Sequence, residues 1–423
     1  MIDISLLRNN FEQTKQKLLT RNKQFPQLAD FLKVDHQWRT LTTTIQQLNE
    51  QRNKLTTNVK QLLDAKKIAD AEKAKKEIVL LKTQINENED ELVNVEKQLH
   101  DILYSIPNIP DASVPIGNDE TQNVEIRKWG KPKKFDFIPK PHWELAESLQ
   151  MVDFTRAAKI SGSRHTIFIN DGAKLIRVLR DFTLDCHVKN KYMELLPPVL
   201  INENILFGTG HLPKSKEDMF QLTNNQFLSP TEEVPLTGYY NNEIIEQKKL
   251  PIFLTSSTLS FRSEAGSAGK DIRGIIRQHQ FYNTEMVIIS QPEESFKMLE
   301  LMTSHCENVL QQLEIPYRVI ELCTGDIGTA ACKTYDVEVW FASANQYREI
   351  SSCSNCTDYQ ARSSLIRYRD ENNKTNYVHT LNGTGTSLNR LWVAIIEYYQ
   401  QADGKIAIPQ MLKKYFNNKD FFN

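Results

Sequence analysis

Phe261-Arg262-Ser263-Glu264-Ala265-Gly266-Ser267-Ala268-Gly269-Lys270-Asp271-Ile272-Arg273-Gly274-Ile275-Ile276-Arg277-Gln278-His279-Gln280-Phe281 reads as a strand end bearing Arg and Glu, a glycine-rich loop, then more cations and an aromatic ring. Arginine's planar fork suits phosphate oxygens, and a nearby carboxylate accepts a hydrogen bond from an exocyclic amine. The stretch matches neither the P-loop nor a dinucleotide fingerprint. On composition it is either another way of holding a nucleotide or a charged surface hairpin.

Around it, from about Trp143 onward, helical periodicity covers 172–190, 295–313 and 388–402. Runs rich in β-formers cover 192–196, 252–255, 284–289, 317–322, 336–341 and 377–381. This alternation predicts an α+β body, mainly antiparallel, over 142–423. The segment 107–141, rich in Pro, Gly and Lys, reads as a linker.

Residues 28–106 differ sharply. Val34, Trp38, Leu41, Ile45, Leu48, Leu55, Val59 and Leu62 advance by alternating fours and threes, with Arg52 in one slot. Ile78, Leu81, Ile85, Leu92, Val95, Leu99 and Ile102 do the same, with Asn88 as the polar exception. That is a coiled-coil seam in two segments, each about 45 Å long at 1.5 Å per residue. The stretch 64–70 breaks the register. An antiparallel hairpin is favoured over parallel pairing between chains, because folding back lets one seam bury the other. The outer half carries Arg52, Lys54, Lys60, Lys66, Lys67, Lys73, Lys75, Lys76 and Lys82; the returning base carries Glu87, Glu89, Asp90, Glu91 and Glu96. Such an arm is either a spacer with solvated faces or a phosphate-binding arm that gains affinity by releasing counterions. Residues 1–106 are expected to form one N-terminal domain.

Whole-chain arithmetic excludes several classes. Lys+Arg 52 against Asp+Glu 53 gives a net charge of −1, so the protein is not generally polycationic. No apolar stretch approaches a membrane span, and the first residues lack the apolar core of a signal peptide. Six cysteines in 423 residues are too sparse for a disulfide scaffold and fit a reducing cytoplasm. Cys353 and Cys356 form a Cys-x-x-Cys pair with no second pair or suitably spaced His, so they read as ordinary thiols and no zinc is expected.

Several ordered segments resemble the class II aminoacyl-tRNA synthetases. Arg-Ser-Glu at 262–264, its loop and Arg277 to Phe281 resemble motif 2. Gly383-Thr384-Gly385-Thr386-Ser387-Leu388-Asn389-Arg390 resembles motif 3, and the helix before Tyr192-Met193-Glu194-Leu195-Leu196-Pro197-Pro198 resembles motif 1. Within that class the wording is similar to the seryl-tRNA synthetases of the non-zinc type. It runs through Thr231-Glu232-Glu233-Val234-Pro235, Cys323-Thr324-Gly325-Asp326, Tyr347-Arg348-Glu349-Ile350-Ser351-Ser352-Cys353 and His379-Thr380-Leu381-Asn382-Gly383. The N-terminal arm and the Asn123-Val124 to Arg127-Lys128-Trp129-Gly130 wording fit as well, so the resemblance spans the chain.

The resemblance implies a cytoplasmic, homodimeric ligase that joins serine and ATP as seryl-adenylate, then passes serine to tRNA-Ser, or to selenocysteine tRNA where the organism has one. It implies that Arg262 holds the α-phosphate and the serine carboxylate, that Glu264 accepts from the adenine amine, and that adenine lies between Phe281 and Arg390. Ser263, Ile350 and Ser351 would line the ATP site; Glu349 and Ser352 would position Mg²⁺. Thr231, Glu232, Glu233, Glu285 and Thr384 would meet serine. The arm cations Arg52 to Lys76 would meet tRNA. Two positions depart from the family: Glu232 stands where a small residue is usual, and Thr384 where Ser is common. A side chain of Glu232 pointing outward would make the first departure inconsequential. Two other readings remain: a paralogue handing seryl-adenylate to another acceptor, and a non-catalytic coiled-coil tRNA-binding protein.

Overall fold

The computed structural model describes residues 1–265 and 273–422. They form two compact units, Gln24–Ile106 and the remainder, Met1–Lys23 with Pro107 onward. The glycine-rich stretch 266–272 lies outside the described residues. Among those described, no helix is long and apolar enough to cross a membrane.

The smaller unit is a helical hairpin of Gln27–Asp64 and Ile68–Ser105. The two helices pair within one chain, which disposes of parallel pairing for this seam. Gln37 Nε2 donates to Glu91 Oε1 at 2.8 Å, and Trp38 Nε1 donates to Glu96 Oε1 at 3.2 Å. The turn is a tight C-cap. Lys66 sits at φ 57°, Lys66 N bonds Leu63 O and Lys67 N bonds Leu62 O, so the chain reverses without losing those carbonyls' partners. Every seam position is buried or half-buried, Arg52 and Asn88 included. The seam runs further than the apolar pattern indicates, because Ala71 and Ala74 are also buried and continue the three-four spacing. The predicted lysines, Lys54, Lys60, Lys66, Lys67, Lys73, Lys75 and Lys76, are all exposed.

In the larger unit the described residues build a nine-stranded sheet: β1 (Val124–Trp129), β2 (Met193–Glu194), β3 (Ile252–Ser256), β4 (Leu259–Phe261), β5 (Gln280–Ser290), β6 (Tyr317–Glu321), β7 (Lys333–Phe341), β8 (Gln346–Asn355) and β9 (His379–Ser387). Their order is β1-β6-β7-β8-β9-β5-β3-β2, with β4 beside β5. All pairings are antiparallel except β2 with β3. Alternation along β5 sends Met286 and Ile288 into a core under the helices Asn170–Lys189, Ser295–Gln312 and Leu388–Tyr398, and Val287 and Ile289 into a second core. Glu285 continues the face of Val287 and Ile289.

Three features depart from the pattern reading. The expected linker supplies edge strand β1, pinned where Trp129 stacks on Tyr317 and Arg127 donates to Glu307 at 2.6 and 2.9 Å. The first 23 residues group with the larger unit. Arg21 explains this, donating from a buried site to the carbonyls of Asn108, Ile327 and Ala331. Strand β8 has no apolar run, yet it is paired on both sides.

Candidate active site

Strands β4, β5, β8 and β9 bring the predicted residues to one place. Arg262, Glu264, Phe281, Glu349, Ile350, Thr384 and Arg390 line a single cavity of about 230 Å³. A neighbouring cavity of about 430 Å³ shares Arg262, Glu264 and Arg277 with it and adds His211, Asp218 and Pro230. Arg262 is the hinge between the two.

Local structure fixes that hinge. The backbone of Arg262 is clamped to His279, its N donating to His279 O at 2.9 Å while His279 Nδ1 meets Arg262 O at 3.0 Å. Its Nε donates to Pro230 O at 3.1 Å, and its guanidinium carbon lies 5.2 Å from the Phe281 ring centroid. Glu264 stands at φ 54° and pairs through Oε2 with Arg277 Nη1 at 2.6 Å. Arg390 Nη1 bonds Glu349 twice, at Oε1 (3.1 Å) and at the backbone O (2.8 Å).

Near Arg262 lies a buried acidic cluster. Glu232, Glu233 and Glu285 all belong to it. Burial pushes Glu232 and Glu233 up to about 7. Burial, followed by the charges of Glu232 and Glu233, pushes Glu285 well above the carboxylate range, while a hydrogen bond from Thr384 pulls the other way. Thr384 is the register partner of Glu285 across β5 and β9. Glu285 is 2% exposed and its Oε2 has no partner among the described residues. Like carboxylates buried together without a cation are unfavourable, so the cluster favours a positively charged guest.

Glu232 corrects one expectation. Its side chain points inward. Oε1 accepts from Thr258 N and Oγ1, and Oε2 accepts from Ser260 Oγ, so both oxygens bind the protein and tie the Glu233–Gly238 helix to the β3–β4 turn. Glu233 Oε1 accepts from Gln360 Nε2 at 2.6 Å and Asn382 Nδ2 at 3.0 Å. Thr231 Oγ1 accepts from Glu233 N at 3.2 Å. Ser263, Ser351 and Ser352 do not line either cavity; the Ser263 hydroxyl donates to Glu217 O at 2.6 Å.

Beside Glu349, Ser352 pairs across the ladder with Asp336 and donates to its carboxylate. Asp336 is buried, its Oδ1 unpartnered among the described residues, and burial with the charge of Glu349 pushes its pKa well up. An oxygen-rich, incompletely satisfied set of this kind fits a hard divalent cation. Among the described residues no three His, Cys, Asp or Glu side chains form a complete metal cage. A phosphate-bound Mg²⁺ does not need one, since substrate oxygens and water complete its shell. Cys353 lies with Sγ 3.4 Å from Cys306 Sγ, and Cys356 Sγ accepts from Asn382 Nδ2.

Sequence reading gave no role to Arg277, Asp336, Gln360, Asn382 or His211. Arg277 and Asn382 lie within quoted motif stretches; Asp336, Gln360 and His211 are single polar residues brought in by strand pairing, by the helix Tyr359–Ser364 and by a turn.

Residues 219–399 match the model of the tRNA synthetase class II core domain (G, H, P, S and T). Antiparallel platform, guanidinium hinge and motif order together define a class II aminoacyl-tRNA synthetase. Residues 1–110 match the seryl-tRNA synthetase N-terminal domain. The serine–tRNA ligase of Malacoplasma penetrans is 48% identical over 417 residues, 98% of each chain. That of Pseudothermotoga lettingae is 49% identical over the same length and shares. The crystal structure of seryl-tRNA synthetase from Pyrococcus horikoshii complexed with ATP has a TM-score of 0.92 at 36% identity, over 100% of this chain and 99% of that one. The chain belongs to the seryl-tRNA synthetases, the serine–tRNA ligases.

Proposed function

We propose that the chain activates L-serine with ATP to seryl-adenylate and pyrophosphate, and then transfers serine to the terminal adenosine of tRNA-Ser, with selenocysteine tRNA as a second acceptor where the organism has one. The observation that carries this reading is the juxtaposition of Arg262 with the buried trio Glu232, Glu233 and Glu285. An amino acid needs an anionic pocket for its ammonium and a cation for its carboxylate, and both lie side by side here. The serine carboxylate attacks the α-phosphorus, the pyrophosphate oxygen leaves, and Arg262 neutralises charge building on the phosphoryl oxygens. No protein nucleophile is required; catalysis is orientation and charge stabilisation.

Phe281 and Arg390 would hold adenine, and Glu264 would accept from its amino group. Ile350, with Ser263 and Ser351 shaping the surrounding backbone, would complete the nucleotide site. Mg²⁺ would be held by Glu349 and Ser352, with Asp336 behind them, and would neutralise phosphate charge when bound. Thr231, Glu233, Glu285 and Thr384 would read the serine amino and hydroxyl groups. Glu232 would act on the substrate through charge alone. A pocket built to bond a hydroxyl rejects alanine by roughly four orders of magnitude, because its polar groups otherwise lose a partner.

The cations of the hairpin, half-buried Arg52 and exposed Lys54, Lys60, Lys66, Lys67, Lys73, Lys75 and Lys76, would grip tRNA phosphates. An apolar groove of about 410 Å³, lined by Leu196, Pro197, Leu200, Ile201 and Tyr239, with Leu196 86% exposed, supports a homodimer formed through this face. The enzyme would work in the cytoplasm, where its tRNA is. Serine-dependent ATP–pyrophosphate exchange tests the reading: the wild type exchanges and Arg262→Ala does not. No exchange in the wild type, or undiminished exchange in Arg262→Ala, overturns it.

A further inference from the structure

His211 lines the larger cavity, beside Arg262, in the turn after the Glu203–Thr209 helix. Its hydrogen bonding fixes which nitrogen is bare. The Thr209 hydroxyl donates its one hydrogen back to the helix carbonyls of Ile205 and Leu206, at 3.2 and 3.3 Å. Thr209 Oγ1 therefore accepts from His211 Nδ1, 2.9 Å away. Nε2 is left as an acceptor. Burial, with the charge of Arg262, lowers the imidazole pKa to about 4, so the ring is neutral at physiological pH. Nε2 faces Glu233 Oε2 across 3.9 Å, too long for a direct hydrogen bond. Glu233 cannot swing to close the gap, because Gln360 and Asn382 hold its other oxygen.

Two acceptors are thus held apart, one of them, His211, lining the larger cavity beside Arg262. A single atom about 2.9 Å from each spans that gap, and it must donate twice. We infer that His211 is a substrate-binding residue, its Nε2 and Glu233 Oε2 together accepting two hydrogens of the amino-acid ammonium. The inference rests on the serine-activating reading and deepens it, adding a neutral acceptor to a pocket otherwise made of carboxylates. A neutral partner is useful there: it bonds the ammonium without adding a fourth carboxylate to Glu232, Glu233 and Glu285.

The test is steady-state ATP–pyrophosphate exchange with wild type, His211→Leu, His211→Gln and Arg262→Ala. Glutamine restores an acceptor oxygen near the Nε2 position; leucine fills the space without one. His211→Leu should raise the serine KM about tenfold or more, leave the ATP KM unchanged, and weaken alanine activation by the same factor, since alanine carries the same ammonium. His211→Gln should stay within a few-fold of wild type, which separates binding from loss of the Thr209 bond. The inference is overturned if His211→Leu keeps the wild-type serine KM, if the ATP KM rises instead, or if His211→Gln is as impaired as leucine. Loss of exchange in Arg262→Ala alongside an unaffected His211→Leu sinks this inference alone; retention of exchange in Arg262→Ala sinks the underlying reading.

Discussion

Replacing Glu285 by glutamine separates substrate binding from folding. In the free protein the carboxyl is 2% exposed, has an Oε2 without a partner among the described residues, and has its pKa pushed well above the carboxylate range by burial and by its acidic neighbours. Glutamine has nearly the same shape and lacks the charge that burial disfavours, and its amide oxygen still accepts from Thr384. Stability should therefore change by less than about 1 kcal/mol. Substrate changes the accounting. An ammonium beside Oε2 favours the ionised form, and a hydrogen bond to a charged partner contributes about 1.5–3 kcal/mol. At about 1.4 kcal/mol per decade, the serine KM should rise roughly 10- to 150-fold. The ATP KM should stay put, because Glu285 lies outside the nucleotide cavity. Pyrophosphate exchange measured against each substrate, with a thermal melt of the same preparations, gives all three quantities. A serine KM within about twofold of wild type, or an ATP KM rising in step with it, refutes the assignment of Glu285 to the ammonium.

Glu232 gives a stability prediction. Its carboxyl rises from 4.5 to about 7 on folding, so the native state binds more protons than the unfolded chain over that window. Stability of the unliganded enzyme should fall as pH climbs from about 4.5 to about 7, by on the order of 3 kcal/mol for this group. Glu232→Gln should flatten the slope in urea titrations at pH 5 and pH 8, and an unaltered slope contradicts the burial argument. On the arm, changing Lys66, Lys67, Lys73 and Lys76 to Gln should raise the tRNA KM and lower the salt slope of charging by about one for each phosphate no longer neutralised. Pyrophosphate exchange should be unaffected; a wild-type salt slope would remove those lysines from the tRNA surface.

How far the fold was legible depended on how each segment is stabilised. The hairpin announces itself because its seam is built from large apolar side chains at fixed spacing, and it goes quiet at Ala71 and Ala74, where a methyl group suffices to fill the gap near the turn. Strand β8 hides for the opposite reason. Its Ser351, Ser352 and Cys353 offer no run of large apolar side chains although strands pair on both sides, so the strand reads as polar coil. Strand β9 hides behind Gly383 and Gly385. A Cβ at Gly385 would come within 2.3 Å of His187 Nε2, so helix packing demands glycine in a strand that glycine otherwise weakens. Site residues carried by motif text, such as Arg262, Phe281 and Arg390, were legible together. Those recruited by folding, such as Gln360 on Glu233, were not. The direction of the Glu232 side chain was undecidable from sequence, because it depends on Thr258 and Ser260 arriving from another turn.

The most direct measurement is a crystal structure with a non-hydrolysable seryl-adenylate analogue bound. The adenine should lie on Phe281, the phosphate isostere against Arg262, and the ammonium within hydrogen-bonding distance of Glu285 Oε2 and Glu233 Oε2. An analogue bound with its ammonium away from those carboxylates, or outside the paired cavities that Arg262 joins, contradicts this mechanism.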